Sequence, residues 1–477
     1  MEQEAQNQKR SIPRMFFLAG ISLVLLAGTF LVWSVLFQSF GSKAMESSIA
    51  SVKESILPLN LATKPNPTYL NRWAEARKAL VEAQENFLEV NFSSNKVIVY
   101  KAGVAISEAP IYAKGDPQGW GGTPAGLYSV LDMHKVAYSG IAEVNMPYAI
   151  HFYGKYYVHG ETYYTSGIKT GDDVSGGCVQ LLESDAAKVF AAAEPAMPVL
   201  VIDKENDSYS YEKISSGEPP LVSASSYLVT DLDSGFVFAE KNSQRVSSIA
   251  SLTKLMTATV VAENIDLRKS VEVTPAMLEA YGETDALLLG ERYRVVELFY
   301  PLLISSSNDA AEATAGFLGR ERTIRMMNEK AEALLMQDTK FVDPSGLDSG
   351  NVSTAQDLFH LARYVVNNRP PIFEITKGEV VRTYGTISFA VQGLWNKNLF
   401  VEDTSFAGGK TGYTKAARHT GIFLFRFRAE QGALRTIAFV VLDSRNDKLD
   451  VQRLYGWLER NYNLKPDYED TQLSNAS

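Results

Sequence analysis

Ser251-Leu252-Thr253-Lys254, at the head of the run SLTKLMTATVV (251–261), decides the reading of this chain. Its apolar residues recur at helical spacing, so Ser251 and Lys254 lie one turn apart on the same helix face, where an amine reaches a hydroxyl. A serine hydroxyl is a poor nucleophile at neutral pH and needs a base beside it, and a lysine serves only when its ammonium form is disfavoured. Two further segments follow in order, Ser306-Ser307-Asn308 and Lys410-Thr411-Gly412, spaced about 50 and then about 100 residues apart. Lys410 is expected to bring a second positive charge that, together with burial, pushes the Lys254 pKa down. Ser306 and Asn308 are expected to relay the proton and to orient a substrate amide. The set describes acyl-enzyme chemistry.

Residues Tyr227 to about Asn463 resemble the D-alanyl-D-alanine carboxypeptidases of the low-molecular-mass penicillin-binding protein family. The likeness is carried by TDLDSGFVFAEKN (230–242), IASLTKLMTA (249–258), SSSNDAAEA (305–313), TKFVDPSGLDSGNVSTAQDL (339–358) and GGKTGYT (408–414). It implies Ser251 as nucleophile, Lys254 as its base, Ser306, Asn308 and Lys410 as catalytic partners, and Thr411, Gly412 and Tyr413 as substrate-binding residues. The backbone N–H groups of Ser251 and Tyr413 would form the oxyanion hole, each donor being worth about 3–4 kcal/mol. The implied substrate is the terminal D-Ala-D-Ala bond of a peptidoglycan stem pentapeptide, with β-lactams as covalent inhibitors. A D,D-endopeptidase shares the same motifs and remains the alternative. A β-lactamase would need a carboxylate for its deacylating water, and no E-x-x-x-N element lies between Asn308 and Lys410.

A second nucleophile lies upstream. Cys178 is the chain's single cysteine and sits in SGGCVQL, with His159 of YYVHG about 20 residues before it. A nearby imidazole stabilises a thiolate, and with no second cysteine the thiol escapes internal disulfide formation. The segment Asn91–Asp203 resembles an L,D-transpeptidase catalytic domain through GGTPAGLY (121–128), MPYAIHF (146–152), His159-Gly160 and the S-x-G-C element from Ser175 to Cys178. The resemblance implies Cys178 as nucleophile, His159 as base, and Gly160, Ser175 and Gly177 at the substrate. Gly176 and Gln180 depart from it, since the family most often has His or Arg at the first position and Asn or Arg at the second. Weaker transition-state support and weaker contact with a substrate carboxylate are the expected consequences. A non-catalytic wall-binding domain is the alternative.

The remaining histidines have plainer readings. His151 reads as a packing residue in a strand, His134 as a loop position and His360 as part of the helical run FHLARYVV (359–366), while His419 follows shortly after the Lys410 motif. No H-x-x-x-H or C-x-x-C pattern is present, so neither a metal nor another cofactor is expected. A net charge of −9 argues against nucleic acid as a partner, and the 477 residues suggest two or three domains.

Met15–Phe40 is apolar and uncharged, long enough to cross about 30 Å of hydrocarbon as a helix. Lys9, Arg10 and Arg14 precede it, which places the amino end in the cytoplasm and the rest outside. The expected address is the bacterial cytoplasmic membrane, single-pass, with the catalytic domains extracytoplasmic (periplasmic) and a lipid bilayer as partner. A cleaved signal peptide ending near Ala44 is the rival, although its apolar region should span only about 7–15 residues.

The expected organisation is a cytoplasmic tail (1–14), a transmembrane anchor (15–40), a stalk with an amphipathic helix (41–90), a β-rich L,D-transpeptidase-like domain (91–203), a polar linker (204–226), an α+β serine penicillin-binding/β-lactamase-like domain (227–465) and a polar tail (466–477). Together these imply a membrane-anchored bifunctional peptidoglycan remodelling enzyme, in which the serine site makes the tetrapeptide that the cysteine site uses as acyl donor.

Overall fold

Apolar runs such as KVIVYK, YAIHFY and PVLVI form strands because β-branched and aromatic side chains fit a pleated surface covered on its inner face. The computed structural model describes residues 71–170, 176–279, 287–381 and 391–468. The expected anchor, most of the stalk, Ser175 and the end of the polar tail lie outside the described residues. No helix among those described is long and apolar enough to cross a membrane.

The first domain is built on two sheets. One has the strand order β3-β2-β1-β10-β4, formed by β1 (Phe87–Asn91), β2 (Lys96–Lys101), β3 (Val104–Pro110), β4 (Gly126–Ser129) and β10 (Pro198–Ile202). The other has the order β5-β6-β7-β9, formed by β5 (Asp132–Ser139), β6 (Val144–Tyr153), β7 (Tyr156–His159) and β9 (Val179–Gln180), with β8 (Tyr163–Tyr164) on the side of β6. Val90, Val97 and Val199 share a core with Ile150, Phe152 and Val158. The short parallel pair β7–β9 sets His159 opposite Gln180, which brings the histidine strand alongside the cysteine.

Two expectations need correction. The amphipathic stalk helix expected over Asn71–Val90 spans only Arg72–Glu82, as α1; Gln84 turns into the left-handed region at φ 56°, and Phe87–Asn91 becomes β1, paired with β2 and β10. His134 is not a loop position. It lies in β5 opposite Ala149 of β6, and its exposed imidazole meets Asp132 at 2.9 Å.

The second domain has an antiparallel sheet of order β12-β11-β15-β14-β13, comprising β11 (Ser226–Asp231), β12 (Val237–Lys241), β13 (Phe406–Thr414), β14 (Arg418–Arg428) and β15 (Leu434–Ser444). Helices α7 (Ala355–Asn368) and α8 (Asp447–Asn461) pack on it. Helix α3 (Thr253–Asn264) is enclosed by α4 (Val295–Leu303), α5 (Asn308–Gly316) and α6 (Arg320–Ala333), and its first eleven residues are all buried. The shorter helix α2 (Glu183–Ala192) belongs to the first domain and packs on β6.

Both domains fall in one compact unit. The segment between them is pinned: Trp457 donates to the Gly217 carbonyl at 3.0 Å, and Arg435 pairs with Asp207 at 2.6 Å. At the domain boundary Lys330 of α6 donates to Tyr128 of β4 and to Tyr364 of α7, each at 2.8 Å. The Glu263 carboxylate, in the last turn of α3, lies 3.0 Å from Lys330 and 3.5 Å from Arg369, with all three side chains fully buried. Removing one partner from such a set leaves buried charge uncompensated. Glu263→Gln should therefore lower the unfolding free energy by about 3–5 kcal/mol, read by chemical denaturation of the two domains in a single transition. A loss below about 1 kcal/mol would place the stabilisation elsewhere.

Candidate active sites

Ser251, the expected nucleophile, is held by a turn rather than by the helix proper. Ala250–Leu252 forms a 3-10 turn directly ahead of α3, and Ala250 adopts φ 46°. Ser251 thereby stands at the mouth of the helix while Lys254, fully buried, rises from its first turn. The Lys254 Nζ lies 2.8 Å from Ser251 Oγ, 2.7 Å from Asn308 Oδ1 and 2.6 Å from the Ser345 carbonyl. An ammonium has three hydrogens and here finds three acceptors. A neutral amine keeps two hydrogens, for Asn308 and Ser345, and turns its lone pair to the Ser251 hydroxyl. Burial, the largest influence, lowers the Lys254 pKa to about 7, so the basic form is well populated at neutral pH.

Lys410, expected to supply the second charge, is itself buried, which disfavours its ammonium form; the neighbouring cation that acts on Lys254 is instead Lys397, a residue outside all three motifs. Lys410 is pushed well below its ordinary value by burial, then by Lys254 and Lys397. It donates to Ser306 Oγ at 2.9 Å and to the Thr411 carbonyl at 2.7 Å. Ser306 is held at φ 57°, a strained conformation for a residue with a Cβ, just before Ser307 caps α5 by accepting from Ala310 N. That cap fixes where Asn308 begins the helix. The three motifs therefore meet as two lysine–serine pairs, Lys254–Ser251 and Lys410–Ser306, with Asn308 accepting from Lys254.

Two features had no role in the sequence reading. Asp343 of the D-P-S-G-L run accepts from the backbone N–H groups of Ser345 and Gly346, each at 2.6 Å, and from Asn351 at 2.6 Å. This presents the Ser345 carbonyl to Lys254. A Cβ on Gly346, at φ 86°, would sit 1.9 Å from the Ala250 carbonyl, so only glycine lets this loop approach the nucleophile turn. Lys397 is the second; an isolated lysine gives no signal in sequence. On the opposite side, a Cβ on Gly412 would lie 2.8 Å from the Ser251 backbone N, which shows how closely β13 passes the nucleophile. Thr411 Oγ1 donates to the Lys397 carbonyl at 3.2 Å. Tyr413 is exposed and tilts on His419, ring centroids 4.7 Å apart.

The cysteine site rests in a different protonation state. Cys178, half-buried, directs Sγ to the Lys155 carbonyl at 3.7 Å. Burial pushes its thiol up to about 11 against a hydrogen bond from the Tyr157 backbone and the Lys155 charge. His159 is buried, its Nδ1 lies 2.6 Å from the Gly160 carbonyl, and burial lowers its pKa to about 4. A neutral imidazole donating from Nδ1 leaves the Nε2 lone pair to act as base. The expected thiolate is thus replaced by a neutral thiol, and the imidazole on the neighbouring strand β7 is neutral as well. Gly177, at φ 114°, has no room for a side chain: its Cβ would meet the Tyr156 ring at 2.4 Å. Gly176 is exposed, with open space around it, and Gln180 is buried. His151 lies in β6 as a strand residue, bonded to Asp132 at 2.8 Å and stacked on Tyr157. His360 is buried in α7, where its carbonyl accepts from Arg72 at 3.4 Å.

Because the base form of Lys254 grows as pH rises through about 7, acylation of Ser251 by a labelled penicillin should rise over that window and then level. Replacing Lys397 by Met removes a charge that opposes the ammonium, so the rise should move to higher pH; an unmoved profile would exclude Lys397 from this role. At Cys178, the rate of alkylation by iodoacetamide should keep climbing above pH 9.0, the ordinary thiol value, toward 11. A plateau near neutrality would contradict the buried thiol.

The D-alanyl-D-alanine carboxypeptidase family matches residues 213–446, and the L,D-transpeptidase catalytic domain matches residues 85–201. The chain is 33% identical to D-alanyl-D-alanine carboxypeptidase DacB2 of Mycobacterium tuberculosis, over 41% of this chain and 68% of that protein. It is 31% identical to the D-alanyl-D-alanine endopeptidase of Haemophilus influenzae, over 46% of this chain and 76% of that protein. It is also 29% identical to D-alanyl-D-alanine carboxypeptidase DacD of Escherichia coli, over 52% of this chain, and spans 66% of that protein's length. With the three motifs assembled around Ser251, this chain belongs to the D-alanyl-D-alanine carboxypeptidase family and carries an L,D-transpeptidase catalytic domain ahead of it.

Proposed function

We propose that this is a membrane-anchored, two-site peptidoglycan remodelling enzyme that trims a stem pentapeptide at Ser251 and uses the resulting tetrapeptide as acyl donor at Cys178. The observation that carries the first step is Lys254 Nζ, buried, 2.8 Å from Ser251 Oγ, with its pKa near 7. Ser251 Oγ attacks the carbonyl of the penultimate D-Ala as its proton passes to Lys254. The tetrahedral oxyanion is stabilised by the backbone N–H groups of Ser251 and Tyr413. The C–N bond then breaks, the departing D-Ala amine takes a proton through the Lys254–Asn308 and Lys410–Ser306 pairs, and water hydrolyses the ester. At the second site, His159 takes the Cys178 proton as sulfur attacks the carbonyl of the L,D bond before the last D-Ala, and returns it to the D-Ala amine that leaves as the C–N bond breaks to give a thioester. A neighbouring stem's amine then attacks the thioester, its proton passing by way of His159 to the sulfur that leaves as the Cys178 thiol. The anchor at Met15–Phe40, the cytoplasmic amino end and the extracytoplasmic location complete this reading, supported by that run's length and lack of charge.

The likeness to an endopeptidase favours a second reading, in which the same serine site cuts a cross-link. Mass analysis of products from defined muropeptides separates the two. The intact chain on pentapeptide wall should release D-Ala and then form L,D cross-links. Ser251→Ala should lower D-Ala release on the order of 10⁶-fold and form no L,D cross-links until tetrapeptide-rich wall is supplied. Cys178→Ala should trim without cross-linking. L,D cross-links made by Ser251→Ala on pure pentapeptide wall would refute the sequential scheme, and covalent penicillin on that variant would refute the nucleophile.

A further inference from the structure

Arg369 follows α7 in the serine domain, and its side chain is fully buried on the other domain. Its Nη1 donates to the Gly122 carbonyl at 2.7 Å and its Nη2 to the Tyr156 hydroxyl at 2.9 Å. Both acceptors lie one step from the residue before the catalytic cysteine. Thr123, next to Gly122, donates its hydroxyl to the Gly177 carbonyl at 2.6 Å. The Tyr156 ring stands where a Gly177 side chain would be, 2.4 Å from its Cβ position. A Cβ on Gly122 would itself lie 2.9 Å from the Asn368 carbonyl and 3.1 Å from Arg369 Nη1, so the glycine loop and the serine domain are fitted without slack. Glu263, at the far end of the helix that starts beside Ser251, lies 3.5 Å from the same guanidinium.

We propose that Arg369 is a positioning residue for Cys178, so that the cysteine site is completed by a side chain of the serine domain. The planar guanidinium is suited to this because its rigid fork satisfies two acceptors at a fixed separation, one on the glycine loop and one on β7. These two elements flank Gly177 from two sides. The inference rests on the proposed acyl transfer at Cys178, and it explains why a fused chain suits that site: a free L,D-transpeptidase-like domain of this sequence would lack the clamp.

The test uses the full chain in detergent with Arg369→Ala, Arg369→Lys and the near-isosteric Tyr156→Phe. Carbapenem acylation of Cys178 and labelled-penicillin acylation of Ser251 are followed by intact mass, and iodoacetamide alkylation of the single cysteine is followed against pH. Misplacing a reacting group by about 1 Å costs on the order of 100-fold. Arg369→Ala and Tyr156→Phe should therefore slow Cys178 acylation by roughly 10- to 100-fold while Ser251 acylation stays within about twofold. Arg369→Lys, which keeps the charge without the fork, should fall between. Alkylation should change in the opposite sense, its profile moving from about 11 toward the ordinary 9.0 as the released loop exposes the thiol. Cys178 acylation and alkylation both unchanged in folded variants would overturn the proposal. So would equal losses at both sites with normal behaviour in Tyr156→Phe, which assigns Arg369 to interface stability alone. If wild-type Cys178 takes up iodoacetamide but no carbapenem, the acyl-transfer reading fails, and the alkylation profiles alone decide the positioning role.

Discussion

The burial of one amine organises the serine domain. Lys254 has no solvent to hydrate an ammonium, and desolvation acts on the charged form alone, which brings its pKa to about 7. Several costly local features exist around that nitrogen. Ala250 and Ser306 adopt left-handed conformations, Gly346 lets the Asp343 loop touch the nucleophile turn, and Gly412 lets β13 pass the Ser251 backbone. Asp343 and the capped start of α5 then present the Ser345 carbonyl and the Asn308 amide as fixed acceptors. With two acceptors for two hydrogens, the lone pair has one direction left, toward Ser251.

The cysteine site uses burial to a different end. Desolvation keeps both the thiol and the imidazole neutral, so in the proposed acyl transfer proton transfer accompanies attack instead of preceding it. That demands accurate placement of the sulfur, because a neutral thiol has little intrinsic reactivity to spare. Placement is supplied by a glycine-rich loop and a tyrosine that both abut the second domain. The buried Glu263–Lys330–Arg369 set thus lies between the end of the nucleophile helix and the back of the cysteine loop.

Much of this was legible in the sequence where residues act through near neighbours. The Ser251–Lys254 pairing follows from helical spacing, and the strands around Tyr100, Phe152 and Phe439 follow from apolar patterning. What escaped were partners joined only by the tertiary fold. Lys397 is one exposed lysine among many, and its value lies in standing near two buried lysines. Lys330 and Arg369 sit in segments whose composition reads as ordinary helix and helix end, yet they meet Tyr128 and Tyr156 across about 200 residues of chain. His134 failed for a local reason: flanking polar residues hid an edge strand whose solvent face needs no apolar alternation. The end of α1 differs from the expected Val90 because Phe87, Leu88 and Val90 continue the helix-like apolar spacing while strand pairing with β2 and β10 overrides it.

The most direct measurement is the titration of Lys254 itself, followed by NMR in protein carrying ¹³C-labelled lysine, with the resonance assigned by its loss in Lys254→Arg. A midpoint near 7 is expected, against the ordinary 10.5, and it should move upward when Lys397 is replaced by Met. A midpoint near 10 in the folded wild-type chain would mean that Lys254 is an ammonium at neutral pH, and the activation of Ser251 described here would be wrong.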